Sequence, residues 1–365
     1  MVPQAGSAYL DWITRHFGRV GFNLAASGTP GLGIEELAQI APLWSPDPTG
    51  RLAAEIARLY GLNPHEVLAC NGASQALWLG YAVTLRPGEE ALVETPAYAP
   101  FADLVTMLGG RLRRFEWGTQ PEAGLDSDRI CAMIEPQTRV VALSHLHNPT
   151  GRAANKEALL RIAGRLAEQD GFLILNEIYA DFTGAQATRQ IVPCESRRQL
   201  ADNVIVVSSM SKAYGLGALR IGWLAAPKSM IERGASAMLA TTGDMSPAWA
   251  ATASGALAEL PRLGARAAQD LADKRQMVDA WMARQPDLVW SEPDGGLFGL
   301  AGLPPGTDDL ALVERAISQF DLIVAPGRFF NQPSSIRLAW SCRIEILEEG
   351  LKRLEQVLAQ ELTRP

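Results

Sequence analysis

The sequence predicts an α/β protein, in which a large domain with a mostly parallel sheet flanked by helices is joined to a smaller α+β domain. Three observations point there. Short apolar runs alternate with helix-length segments between about residues 67 and 207, the pattern of a parallel sheet buried on both faces. After about Ser246 the pattern turns helical, and short strands are then interleaved with helices. The chain has 365 residues, 47% of them hydrophobic, which is more than one core usually holds and enough to fill two.

Taken in order, residues 67–70, 91–94, 140–143, 172–175 and 204–207 read as strands, each short and largely apolar. Between them, residues 75–81, 126–134 and 155–168 have helical length, the second opening with a capping residue, Asp126. The remainder reads as a helical stretch from 246 to 285, strands near 296–300, 322–325 and 336–340, and helices at 308–319 and 345–362. No repeat, low-complexity tract or flexible linker separates the two parts, so they are expected to pack closely around a cleft.

Composition narrows the function. Lys and Arg number 33 against 40 Asp and Glu, a net charge of -7 with no basic run, which argues against nucleic acid or an anionic membrane as partner and favours small molecules. Cys70, Cys131, Cys194 and Cys342 are far apart, and the four histidines do not cluster with them. No metal site and a reducing cytoplasm are expected. Residues 1–20 show neither the apolar core of a signal peptide nor a membrane span.

The chemistry is concentrated between Val206 and Trp223, where an apolar strand leads into Ser209, Ser211 and Lys212, with Arg220 eight residues on. A lysine beside small hydroxyl residues past a buried strand can be held partly deprotonated, as Schiff-base formation with an aldehyde requires. Ser209 and Arg220 suit a phosphate monoester. Together they suggest pyridoxal 5'-phosphate, although an isolated Ser-x-x-Lys is more often an ordinary surface lysine. Five further sites fall at strand ends, where open α/β sheets bind ligands. Gly72-Ala73-Ser74 leads into a helix whose free N–H groups suit an anion, or forms an ordinary capped turn. Tyr98, in Pro96-Ala97-Tyr98, suits stacking on an aromatic cofactor or simple core packing. Asn148 sits in a tight turn, His147-Asn148-Pro149-Thr150-Gly151. Asn176-Glu177-Ile178-Tyr179 ends another strand, and Arg337 lies inside an apolar one, where its charge needs a carboxylate from protein or ligand.

The order Gly-Ala-Ser, Pro-x-Tyr, Asn-Pro-x-Gly, x-Glu-x-Tyr, Ser-x-Ser-Lys, Arg and late Arg resembles the class I/II aminotransferase family of fold-type I pyridoxal phosphate enzymes. The similarity runs from about Asn23 to Leu358 and is most specific at His147 to Gly151 and Ser209 to Trp223. The resemblance implies the fold-type I architecture, with a large cofactor-binding domain at 46–274 and a small domain made of 1–45 and 275–365. Lys212 would be the Schiff-base lysine and the acid/base at the substrate α-carbon. Ala73, Ser74, Ser209 and Arg220 would hold the phosphate, Tyr98 would stack on the ring, and Asn148 and Tyr179 would bond its hydroxyl oxygen. Arg337 would clamp the substrate α-carboxylate, and Ser27-Gly28 would approach from the other side. A homodimer is also implied.

Two positions depart from the family pattern. Asn176 stands where the family has an aspartate paired with the pyridine nitrogen, and a neutral amide stabilises a protonated ring nitrogen far less, which should slow amino transfer. Either the amide suffices, or the residue is an introduced substitution, or the chemistry has moved elsewhere. Trp44 stands in a region where the family often has a tyrosine that reaches across the dimer to the partner's phosphate, and it lacks that hydroxyl. Amino transfer from an L-amino acid to a 2-oxo acid is the first expectation. Residues 25–30 and 325–330 also look like a branch with capreomycidine synthase-like members, which makes elimination, replacement or cyclisation the alternative. A pyridoxal phosphate-binding regulatory protein is a third, disfavoured by the retained lysine. No second arginine suggests a side-chain carboxylate on the substrate.

Overall fold

The computed structural model describes residues 8–16, 19–31, 47–117, 124–182 and 197–362; Trp44 and Cys194 lie outside them. After a short β1 (Phe22–Asn23), the main sheet comprises β2 (Val67–Cys70), β3 (Glu90–Thr95), β4 (Arg111–Glu116), β5 (Thr138–Ser144), β6 (Phe172–Asn176), β7 (Val204–Ser209) and β8 (Gly222–Ala225). Their order across the sheet is β2-β8-β7-β6-β5-β3-β4. Every neighbouring pair is parallel except those of β8, which runs antiparallel to β2 and β7.

The helices are α1 (Ala8–His16), α2 (Pro48–Leu59), α3 (Ala73–Thr84), α4 (Pro100–Met107), α5 (Ser127–Met133), α6 (Lys156–Ala167), α7 (Lys228–Thr241), α8 (Pro247–Met282), α9 (Asp309–Phe320) and α10 (Ile344–Leu362). Asp47, Asp126, Asn155 and Asp308 each accept a first-turn N–H with their side chains, which starts α2, α5, α6 and α9 where the chain turns. Strand residues alternate between the two faces. Val93, Ala142, Ile174 and Ile205 pack with Leu79 of α3 and Met230 of α7, whereas Leu92, Val141, Leu173 and Val204 pack with Ile130 of α5 and Ile162 of α6.

A second, antiparallel sheet has the order β12-β13-β10-β9, from β9 (Val289–Trp290), β10 (Phe298–Gly302), β12 (Ala325–Pro326) and β13 (Ser335–Ala339). The amino-terminal segment joins this part of the molecule: β1 pairs in parallel with β11 (Leu322–Ile323), and Leu24 O accepts from Ala339 N at 2.9 Å. The division placed at 274/275 falls within α8. Among the described residues no helix is long and apolar enough to cross a membrane, and no cluster of His, Cys, Asp or Glu could hold a metal.

Candidate active site

A cavity of about 970 Å³ opens where the carboxyl ends of β5, β6 and β7 meet the start of α3, the amino-terminal segment and β13. Each site residue expected from sequence lines it: Gly28, Ala73, Ser74, Tyr98, Asn148, Asn176, Tyr179, Ser209, Lys212, Arg220 and Arg337. Strand ends in a parallel sheet release the chain on one side, so residues distant in sequence converge there. The roles differ along the cavity.

At one end, α3 begins at Gly72 with no side-chain cap, leaving the first-turn N–H groups for a ligand at the positive end of the helix. Ser74 and Ser209 border the same space. Arg220 has a left-handed φ of 52°, which is uncommon for a non-glycine residue, and its guanidinium has no partner among the described residues. Gly72, with φ 86°, lets that guanidinium approach: a Cβ there would lie 2.6 Å from Arg220 Nη2. The result is a cradle for a dianionic group.

Lys212 lies half-buried between the two ends. Lost hydration lowers its pKa to about 8, and the Arg337 and Arg220 charges push in the same direction against a partial offset from Tyr9. Its ε-amine has no hydrogen-bond partner among the described residues. The amino-terminal loop covers it, with Thr29 N and Oγ1 both donating to Lys212 O, at 3.1 and 3.0 Å. Gly28 comes so close that a Cβ would lie 3.3 Å from Lys212 Cδ.

At the other end is Arg337, 1% exposed, with Phe298 and Phe330 rings at 5.0 and 4.8 Å from its guanidinium carbon. Nη1 donates to Asn148 Oδ1 at 2.8 Å, and Nη2 to Ala25 O at 3.0 Å and Tyr9 Oη at 3.2 Å. No carboxylate of the described residues pairs with it, and its Nε–H is buried without an acceptor. Of the two carboxylate sources the sequence left open, the described protein residues supply none.

Asn148 is held from behind. Its N–H donates to Ser144 Oγ at 3.0 Å, and Ser144 donates through N and Oγ to Glu94 Oε1 at 2.9 and 2.6 Å. Burial raises the Glu94 pKa well above its ordinary value, against the opposing hydrogen bonds from Ser144, and it lowers that of His147 to about 3, so the imidazole is neutral at pH 7. Trp117 stacks on His147 at 4.3 Å. Tyr179 donates to Ser27 O at 3.2 Å, tying the amino-terminal loop to the sheet. Asn176 Oδ1 accepts from Ile178 N at 3.4 Å, and the side chain borders the cavity. The sequence reading missed Tyr9, Ser144 and Glu94. Ser144 and Glu94 are strand residues whose pairing appears only in the folded sheet, and Tyr9 reaches the site from 328 residues away in the chain.

Residues 45–354 match the family model described as aminotransferase class I and II. The chain is 27% identical to capreomycidine synthase of Streptomyces vinaceus, covering 95% of this chain and 92% of that protein. It is also 27% identical to the aspartate/prephenate aminotransferase of Thermus thermophilus, covering 87% and 83%. A solved pyridoxal phosphate-dependent aminotransferase from Streptococcus suis superposes with a TM-score of 0.88 at 21% identity, covering 100% of each chain, a likeness of fold.

Proposed function

Because this chain belongs to the class I and II aminotransferase family, we propose that it is a pyridoxal phosphate-dependent aminotransferase that moves the amino group of an L-amino acid to a 2-oxo acid through Lys212. One observation carries the reading: the buried Arg337 guanidinium, unpaired with any carboxylate of the described residues, opens on the same cavity as the Lys212 amine. An uncompensated buried charge is costly, and the α-carboxylate of a substrate amino acid would neutralise it.

The residues present fit the cofactor. The α3 terminus, Ala73, Ser74, Ser209 and Arg220 would hold its phosphate, and Tyr98 its ring face. Asn148 Nδ2 and the Tyr179 hydroxyl would reach the ring hydroxyl oxygen, and Asn176 the ring nitrogen. When bound, pyridoxal phosphate supplies an aldehyde that takes up an amine and a ring that draws electrons from the substrate α-carbon. The rest falls to the chain. Lys212, partly neutral near pH 8, would be the amine that joins that aldehyde and the group that would hold and return the α-proton. Arg337, held by Asn148, fixes the carboxylate and so orients the α-carbon toward Lys212. The amino-terminal loop limits water at the amine.

A second reading is favoured by Asn176: with an amide donor where a carboxylate would stabilise a protonated ring nitrogen, the same residues would serve elimination, replacement or cyclisation. The similarity to capreomycidine synthase supports it. A homodimer in the cytoplasm, with small-molecule partners only, completes the proposal. Absorbance of the cofactor-loaded protein, followed through a panel of L-amino acids with products identified by mass spectrometry, tests it. Pyridoxamine phosphate and a 2-oxo acid are expected. Ammonia, an eliminated group or a cyclised amino acid would select the second reading, and no response to any amino acid would contradict both.

A further inference from the structure

We propose that Tyr9, on the amino-terminal helix α1, is a second donor to the substrate α-carboxylate, so that α1 supplies part of the substrate-recognition site. The inference rests on the reading that Arg337 binds this carboxylate. Tyr9 is 6% exposed and lines the cavity. Its hydroxyl oxygen accepts from Arg337 Nη2 at 3.2 Å, which directs the hydroxyl hydrogen away from the guanidinium, and no acceptor receives that hydrogen among the described residues. It lines the cavity together with Lys212, Tyr98 and Arg337, so the phenol borders the same space as the amine, the second tyrosine ring and the arginine.

A carboxylate has two oxygens and accepts several hydrogen bonds, more than the unused Arg337 N–H groups supply alone. An oxygen beside Arg337 would meet the free Tyr9 hydrogen, and the arginine already polarises that hydroxyl. The tyrosine is placed by packing. Its ring lies 5.8 and 5.5 Å from Phe329 and Phe330, while Trp12, one turn on, lies 5.2 Å from Phe329 and donates to Glu314 Oε1 at 2.7 Å. These contacts fix α1 to α9 and the short turn before β13, so the hydroxyl is held without depending on the ligand.

The test is a spectrophotometric titration of cofactor-loaded protein with L-alanine and with ethylamine, which differ by the carboxylate. Tyr9→Phe should weaken L-alanine binding about tenfold, the worth of one hydrogen bond to a charged group, and leave ethylamine binding unchanged. Trp12→Phe, which loosens the contacts that hold the Tyr9 hydroxyl, should weaken L-alanine binding in the same direction but by less, and leave ethylamine binding unchanged. Equal effects of Tyr9→Phe on both ligands, or none on either, would overturn the proposal. If the unaltered protein binds L-alanine no better than ethylamine, the assignment of Arg337 itself fails, and the inference falls with it.

Discussion

Two residues set the chemistry. Lys212 owes its lowered pKa first to lost hydration and next to Arg337 and Arg220, the residues that would bind the substrate carboxylate and the cofactor phosphate. In the proposed function, Asn176 would set how strongly electrons can be drawn from the α-carbon. It offers an amide hydrogen, so it suits a ring nitrogen that keeps its lone pair. Asn176→Asp should therefore raise the single-turnover rate of amino transfer about tenfold or more, given roughly 1.4 kcal/mol of added stabilisation per factor of ten. Stopped-flow absorbance would measure it, and an unchanged rate would mean that the ring nitrogen does not limit the reaction. Lys212, Arg220, Arg337 and Asn176 were legible in the sequence because each breaks a local pattern at a strand end or within a strand. Tyr9 was not, since its partner Arg337 is distant in sequence and only the folded arm brings them together.

The elements divide by how much of their role is local. The strands β3, β5, β6 and β7 are buried on both faces and read directly as apolar runs. The edge strand β4 carries Arg111, Arg113, Arg114 and Glu116, charges that suit a sheet edge and hide the strand from a search for apolar runs. Strand β8 is four residues long and opens with glycine, so it reads as a continuation of the loop after Arg220. Helix α3 shows an element serving ligand and fold together: its body packs on the sheet while its uncapped start faces the cavity. Gly72→Ala should test that terminus. The new Cβ would push the end of the Arg220 side chain, a flexible group, and would occupy a strained φ of 86°. Equilibrium dialysis should show pyridoxal phosphate bound about tenfold more weakly, the scale of one charge-assisted hydrogen bond, with the fold retained. Unchanged affinity would move the phosphate elsewhere.

At the scale of the whole molecule, the large sheet supplies the floor of the cavity, while the amino-terminal segment and the antiparallel sheet supply its cover and Arg337. Among the described residues, three cations, Lys212, Arg220 and Arg337, line it against one carboxylate, Asp103, a balance that suits anionic groups. Its two ends differ in kind: the proposed phosphate cradle is a helix terminus with hydroxyls, and the proposed carboxylate site is a buried guanidinium between aromatic faces. Between them lies Lys212, which is proposed to join the cofactor. Reduction of the protein with borohydride after incubation with pyridoxal phosphate, followed by peptide mass spectrometry, tests it most directly. The reduced cofactor is expected on Lys212 alone, with the initial trapping rate rising with pH toward about 8 and levelling off above it as the amine loses its proton. Attachment to another lysine, or equal labelling of Lys212→Ala, would contradict it.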